Sequence, residues 1–133
     1  YGKAYIHGVG DPAKFWDRDQ DAFLESMADA ASSVVEYFKG NAVYINVMKN
    51  MSVDCDCCDV AEDPCIADIG ILISDDPVAI DQACVDLVFN HHDHEGDSAE
   101  ALRERITSRH GIHTVEHAEK IGLGSREYEI IKL

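Results

Sequence analysis

Apolar residues recur every three or four positions between Phe23 and Phe38, and this spacing predicts a long amphipathic helix. Asp17 and Gln20 have the spacing of a capping box, so we expect the helix to begin there. Gly40 follows the last apolar position and predicts the end of the helix. We expect the apolar stripe to lie in the protein core; it consists of Phe23, Leu24, Met27, Ala28, Ala31, Val34, Val35 and Phe38.

Two short segments are apolar at nearly every position: 42–48 (AVYINVM) and 69–73 (IGILI). Because their side chains are apolar on both faces, these segments predict interior strands with cover on both sides of a sheet. Two further segments, 3–9 (KAYIHGV) and 128–133 (YEIIKL), predict a first and a last strand.

Three more helices are predicted towards the C-terminus. Asp76 is placed to cap a helix over 77–89 that has Pro as its first residue. Helices follow at 98–109 and 114–122, and Leu123 supplies the apolar contact that favours a stop at glycine. The element order predicts one α/β domain spanning residues 1–133, with a single mixed sheet of about four strands and helices packed on it.

The 133-residue chain has a formal net charge of −15 and a pI of about 4.6. Nucleic acids and anionic membrane surfaces are bound by clustered Lys and Arg, so this composition argues against both as partners. It favours cations or a basic partner. No apolar segment approaches the roughly 20 residues that a membrane-spanning helix needs. The first residue is Tyr1 rather than Met, so we expect a fragment of a longer protein.

Four of the five cysteines, Cys55, Cys57, Cys58 and Cys65, lie within one short polar segment that also contains Asp56. An odd count with two adjacent cysteines makes a poor disulfide framework, so the segment predicts reduced thiols in a cytoplasmic protein. Thiolates suit zinc or an iron–sulfur cluster, although the spacing matches neither zinc knuckles nor ferredoxins. Redox-active thiols and a loop with no ligand remain alternatives.

Several carboxylates and histidines are weaker candidates. Asp76 stands where a strand ends and a helix begins, a place for either a ligand or a helix cap. Asp81 lies in a mostly apolar helix, either buried and hydrogen-bonded there or directed at the cysteines. The segment 91–95 (HHDHE) is either a chelator or a solvated helix end. His113 and His117 belong to an H-x-x-E-H pattern, which inverted zinc proteases share.

Four short motifs stand out along the chain: Cys55-Asp56-Cys57, Asp68-Ile69-Gly70-Ile71, Ser74-x-Asp76-Pro77-Val78-Ala79-x-Asp81, and Gly122-Leu123-Gly124-Ser125 near Tyr128. Together they resemble the DUF362 family. Many members of that family carry a ferredoxin-type segment with two four-iron clusters before this region. The resemblance implies the C-terminal part of a larger iron–sulfur-associated protein, with a ferredoxin-type domain as its neighbour. Since this sequence lacks the ferredoxin cysteine pattern, conventional four-iron clusters would lie outside the fragment. Cys58 and Cys65 are extra to the family motif.

Two hypotheses of function follow. In the first, the chain is a metal- or iron–sulfur-associated redox accessory module of uncharacterised role, and the Cys/Asp segment is its site. Cys55 and Cys57, with Cys58 or Cys65, would hold a cluster or zinc, and the ligands or their hydrogen-bond partners would include Asp56, Asp76 and Asp81. In the second, the chain is a docking or dimerisation scaffold with no site of its own, which supports the ferredoxin domain or forms a homodimer. An enzyme that uses these carboxylates and a metal remains open.

The first hypothesis makes a geometric prediction. We expect Cys55 and Cys57 to lie near Asp76 and Asp81, at the carboxyl end of the strand predicted over 69–73.

Overall fold

The computed structural model describes residues 19–38, 40–54 and 62–133. The described residues form, in chain order, α1 (Gln20–Phe38), β1 (Tyr44–Met48), β2 (Gly70–Ser74), α2 (Pro77–Phe89), α3 (Glu100–Ser108) and α4 (Ile112–Lys120). Each of these elements was predicted to within two residues except for the start of α1. Asp19 accepts a backbone N–H in the first turn of that helix, from Ala22 at 2.8 Å. The strand predicted at 3–9 and the residue Asp17 lie outside the described residues.

The sheet corrects the predicted fold class. In the described part of the chain it has two antiparallel strands, with Ile45 opposite Ile73 and Val47 opposite Ile71. A single mixed sheet of about four strands is therefore wrong. Residues 128–133, predicted as a strand, have no regular secondary structure. Their β-branched composition favours a strand only where a neighbouring strand supplies hydrogen bonds and packing.

The two strands also differ from the prediction in which faces are packed against other elements. Helix α2 packs against both strands on one face of the sheet. The opposite face carries side chains that are more than half exposed. The prediction of interior strands with cover on both sides is thus wrong for the described residues, because their second apolar face has no layer over it.

Two small apolar clusters hold the helices together. One lies between α1, α2 and α4 and contains Ala28, Val78, Val115 and Ala118, with Leu123 packed against it. The other lies between the sheet, α2 and α3 and contains Met48, Ile66, Val88 and Ala99. The predicted contact of Leu123 is confirmed: it follows Gly122, whose φ of 81° ends α4, and its N–H donates to Ala118.

Helix α1 is only partly a core helix. Leu24 and Ala28 are buried, whereas Val34 and Phe38 near its C-terminal end are about half exposed. The second half of the predicted stripe therefore lies outside the core. Within the described ranges, no helix is both long enough and apolar enough to cross a membrane.

Candidate functional site

Among the described residues, one side of the sheet is uncovered and forms a continuous apolar surface. Ile45, Val47, Ile71 and Ile73, which we call the apolar face, are each between 59% and 66% exposed. They form two directly opposed cross-strand pairs, so the four side chains adjoin one another. Together they expose several hundred Å² of aliphatic surface, the size at which an exposed patch indicates an interaction site.

The ends of the two strands bear negative charge. Asp68 precedes β2 and Asp75 follows it, and both are exposed. Lys49, at the end of β1, lies 3.5 Å from the Asp68 carboxylate and is paired with it. The chain has no further Lys or Arg before Arg103. The apolar face therefore has an acidic rim.

A second surface runs along the edge of β1 that has no partner strand among residues 19–38, 40–54 and 62–133. It is a groove of about 370 Å³ lined by residues 45–48 together with Cys84, Val85, Val88 and Ile106. Successive residues of a strand point to opposite faces, so four consecutive residues line one groove only where it follows the strand edge. We call this surface the edge groove.

Asn46, the one carboxamide among the described residues that line the edge groove, ties the sheet to α2. The Asn46 side-chain nitrogen donates to Asp81 Oδ1 at 2.8 Å and to Cys84 Sγ at 3.3 Å. Burial raises the pKa of the Cys84 thiol, and this hydrogen bond opposes the shift. Asp81 is exposed beside the groove, so the sequence-based alternative of a buried carboxylate does not hold.

Asp76 joins two distant parts of the chain. Its Oδ1 accepts the N–H groups of Val78 and Ala79 at 2.8 and 3.0 Å and caps α2 as predicted. Its Oδ2 accepts the N–H of Ser125 at 2.8 Å. A Cβ placed on Gly124 would lie 2.7 Å from Cγ of Asp76, so only glycine fits this approach.

This junction brings together two of the four motifs noted in the sequence, although they are separated by almost fifty residues. A comparison with protein-family models matches residues 1–86 to DUF362, a domain of unknown function. The chain belongs to the DUF362 family. The resemblance drawn from the motifs is thereby confirmed, whereas the association with a ferredoxin stays a prediction. No curated protein and no solved structure is similar enough to this DUF362 chain to count as a match.

The predicted metal ligands of the DUF362 chain are only partly visible. Cys55, Asp56, Cys57 and Cys58 lie outside the described residues, so ligation by them stays a prediction. In the described part of the chain, no three His, Cys, Asp or Glu side chains are grouped as ligands of a metal ion. Asp76 caps a helix and Asp81 binds Asn46, so both carboxylates already have protein donors.

Cys65 is held by the segments on either side of it. Its N–H and its thiol both donate to the Met51 carbonyl, at 2.9 and 3.3 Å, and its carbonyl accepts the N–H of Ser98. Burial is the main cause that raises the pKa of the Cys65 thiol. Metal ligation by Cys65 would require this thiol to lose its proton and its hydrogen bond, so its role as a ligand stays a prediction.

The described flanks of the cysteine segment leave from the end of the sheet opposite to Asp76. Because the strands are antiparallel, the end of β1 and the start of β2 adjoin, with Met48 opposite Gly70. Asp76 follows the far end of β2, which is roughly 14 Å away for a five-residue strand. Cys55 and Cys57 lie outside the described residues, so their predicted approach to Asp76 stays a prediction.

The H-x-x-E-H pattern serves helix packing in this structure. His113 Nε2 lies 3.1 Å from Glu25 Oε1, and His117 Nε2 lies 3.0 Å from Asp29 Oδ1. His110 likewise contacts Asp21 at 2.8 Å. The histidines at the start of α4 and along it thus pair with carboxylates spaced four residues apart on α1, which accounts for the pattern without a metal ion.

The sequence interpretation missed the apolar face, although a signal for it was present. Ile45, Val47, Ile71 and Ile73 occupy alternate positions in two strands, and all are β-branched. An ordinary exposed face would carry charged or hydroxyl side chains at such positions. Because these positions have no charged or hydroxyl side chains, we expected other parts of the chain to cover them. Cover by another molecule predicts the same pattern.

The C-terminal segment contains an unusual tyrosine. The Tyr128 hydroxyl donates to Asp86 Oδ2 at 2.7 Å. This hydrogen bond, followed by burial and the carboxylate charge, raises the pKa of Tyr128 to about 12. Since the folded-state pKa is raised, the bond stabilises the fold fully below about pH 10, where an unfolded tyrosine ionises, and this stabilisation is lost as the pH rises through about 12.

We expect the tyrosinate absorbance of the wild-type chain to include a step near pH 12 that Tyr128→Phe removes. Asp86→Asn should move the step towards pH 10, because the negative charge beside the phenol is gone. A step at the same pH in Asp86→Asn and wild type would contradict the assigned bond.

Proposed function

We propose that this DUF362 chain is a docking module whose apolar face is covered by another protein. The proposal is supported by the apolar face, whose four side chains are each more than half exposed and adjoin one another. An antiparallel sheet ordinarily packs one face on the core and exposes a polar face to solvent. A sheet with helix α2 on one side and bare aliphatic side chains on the other is therefore suited to receive a second layer.

Charge selects the kind of partner. Asp68 and Asp75 flank β2, and Lys49 is already paired with Asp68. A second copy of the chain would bring the same acidic rim and a formal charge of −15 against this surface, so charge opposes self-association through the apolar face. The proposed partner is a protein surface with an apolar centre and a rim of Lys and Arg.

The expected energy is concentrated in the four aliphatic side chains. Covering what remains exposed of each would stabilise the complex by about 1–2 kcal/mol on the usual area scale. The acidic rim contributes mainly to the rate of association and to partner choice, and salt screens it. Binding should therefore weaken moderately with salt and strongly with a charge placed in the centre of the face.

The test compares the binding partners of three forms of the chain: wild type, Ile71→Lys with Ile73→Lys, and Val34→Lys. Val34 is 57% exposed but lies on α1, away from the sheet, so it is the matched control. A partner identified by mass spectrometry should bind wild type and the control and lose at least tenfold in affinity with the double variant. In the complex, backbone amides of β1 and β2 should be protected from hydrogen exchange.

Two results would contradict the proposal. One is a partner whose affinity falls with Val34→Lys and not with the double variant, which would place docking on α1. The other is a wild-type dimer in sedimentation that Ile71→Lys with Ile73→Lys dissociates, since the apolar face would then be covered by a second copy. Circular dichroism should show equal folding of all three forms, because every substituted residue is exposed.

A further inference from the structure

The apolar face is two strands wide among the described residues. Neighbouring strands lie about 4.8 Å apart, so the face with its side chains is about 10 Å across, which is the diameter of one α-helix. On the reverse side of the sheet, the single helix α2 packs against both strands. The width of this sheet therefore matches one covering helix on each side.

The apolar face consists of aliphatic side chains, which provide no hydrogen-bond donors or acceptors to a covering chain. A strand laid across these side chains would bury its own N–H and C=O groups without partners, which costs free energy. A sheet of the usual size, about five or six strands, would extend well beyond a two-stranded face. A helix satisfies its backbone groups internally, so it is the element that suits this surface.

The length of the surface sets the spacing of apolar residues on such a helix. Val43, which precedes β1, is 67% exposed and continues the alternation of Ile45 and Val47. From residue 43 to residue 47 the chain spans about 14 Å, which is the length of about nine helical residues. Apolar residues at positions i, i+3 or i+4, and i+7 of one helix would cover this length.

The two ends of the apolar face differ in their uncompensated charge. Asp75 follows β2 at the end where β1 begins, and its exposed carboxylate has no hydrogen bond or ion pair to any described residue. At the opposite end, Asp68 accepts the N–H of Asn50 at 2.9 Å and is paired with Lys49, whose side chain is 60% exposed. The free negative charge therefore lies at the Asp75 end.

This asymmetry selects a direction for the covering helix. A helix carries partial positive charge at its N-terminus and partial negative charge at its C-terminus. Its N-terminus is therefore favoured at Asp75 and its C-terminus at Lys49, which is the direction of β1. Helix α2 runs the same way on the reverse side, since Val88 near its C-terminal end packs with Met48 at the end of β1.

We infer that the partner covers the apolar face with one amphipathic helix, which runs parallel to β1 with its N-terminus at Asp75. This inference rests on the proposed docking function and adds to it the covering element and its direction. Lys and Arg side chains on the flanks of the helix complement the acidic rim. The sheet then lies between two helices of the same direction, α2 from this chain and the other from the partner.

A synthetic peptide is the probe for the covering element. It has about 18 residues, is rich in Lys, and carries Leu at helical spacing; the control peptide has the same residues in alternating apolar and polar order, which favours a strand. In fluorescence anisotropy, wild type should bind the helical probe at least tenfold tighter than the control peptide. Ile71→Lys with Ile73→Lys should weaken this binding at least tenfold, and Val34→Lys should leave it unchanged.

Nitroxide labels on the probe measure its direction. A label at the N-terminus of the peptide should broaden the amide NMR signal of Asp75 most, and a label at the C-terminus should broaden that of Lys49 most. The reversed pattern, or equal broadening of both signals by each label, would overturn the inferred direction.

Failure of this inference can be distinguished from failure of the docking function. The covering helix would be ruled out by a helical probe that binds no tighter than the control peptide. It would also be ruled out by a partner protein that needs the apolar face but contacts it with a strand, as shown by hydrogen exchange of the partner. Both outcomes leave docking in place. A partner protein that Ile71→Lys with Ile73→Lys does not weaken would overturn docking and the helix together.

Discussion

Gly124→Ala is expected to destabilise the chain by about 2–4 kcal/mol, because the new methyl group displaces the Asp76 carboxylate from three backbone donors. The added Cβ would lie 2.7 Å from Cγ and 2.9 Å from Oδ2 of Asp76, and closer still to Oδ1. The carboxylate can move aside only by weakening its bonds to Val78, Ala79 and Ser125. Urea unfolding followed by circular dichroism measures the change.

A double-mutant cycle separates this mechanism from general strain. The three nearest atoms that the new Cβ would meet all belong to the Asp76 side chain. Once Asp76→Ala has removed them, Gly124→Ala should cost less than about 0.5 kcal/mol more. Ser125→Ala, which keeps the donating N–H, should cost less than about 1 kcal/mol. Additive costs of the two substitutions at 76 and 124 would show that the junction is not the cause.

Ile66→Ala is expected to cost about 2–4 kcal/mol, whereas Ile71→Ala should cost less than about 0.5 kcal/mol in the isolated chain. Ile66 is 5% exposed and packs in the cluster with Met48, Val88 and Ala99, so its truncation leaves a cavity. Ile71 is 65% exposed on the apolar face and loses little on truncation. The two substitutions remove the same atoms five residues apart, so each is the control for the other.

The partner complex should reduce this contrast. Once the apolar face is covered, Ile71→Ala should lower the affinity of the partner about tenfold, while Ile66→Ala should act only through the population of folded chain. Urea unfolding of the isolated chain and a binding titration give the two quantities. If Ile66→Ala and Ile71→Ala destabilised the isolated chain equally at low protein concentration, the apolar face would be covered in the free protein.

The ends of the helices could be predicted from the sequence where they depend on neighbouring residues. The N-terminal cap of α2 was predicted from Asp76 and Pro77, and the end of α4 from Gly122 and Leu123. In each case the bonds join residues within five positions of one another. A capping carboxylate or a glycine at positive φ has a narrow set of local uses, so few alternatives compete with it.

Features that depend on distant partners were not predictable in the same way. The β-branched residues of 128–133 favour a strand, but whether an edge is available to them is decided elsewhere in the chain. The apolar alternation of Ile45 and Ile73 demands cover and does not say which molecule supplies it. The pairing of Asp76 with Ser125 was not predicted although both belong to motifs noted in the sequence, because a list of motifs holds no information on distance.

The metal-ligand hypothesis likewise depends on residues that are distant along the chain. Carboxylates near cysteines in sequence suggested a shared cation site, yet Asp76 and Asp81 have found donors within the protein. The strand β2 separates Asp76 from the described flanks of the cysteine segment. The shared cation site stays a prediction, because proximity along the chain does not by itself set proximity in space when a strand lies between two segments.

The junction at Asp76 also sets an order of events during synthesis. When α2 emerges, Oδ1 of Asp76 can cap the helix at once, but the donor for Oδ2 lies 49 residues later in the chain. At 5–20 residues per second the second bond waits several seconds for its partner. Until then Asp76, between the end of β2 and the start of α2, has its contacts to α2 but lacks its contact to the C-terminal segment. A nascent chain that stalls before Gly124 would therefore have α2 formed without the hydrogen bond from Ser125 to Asp76.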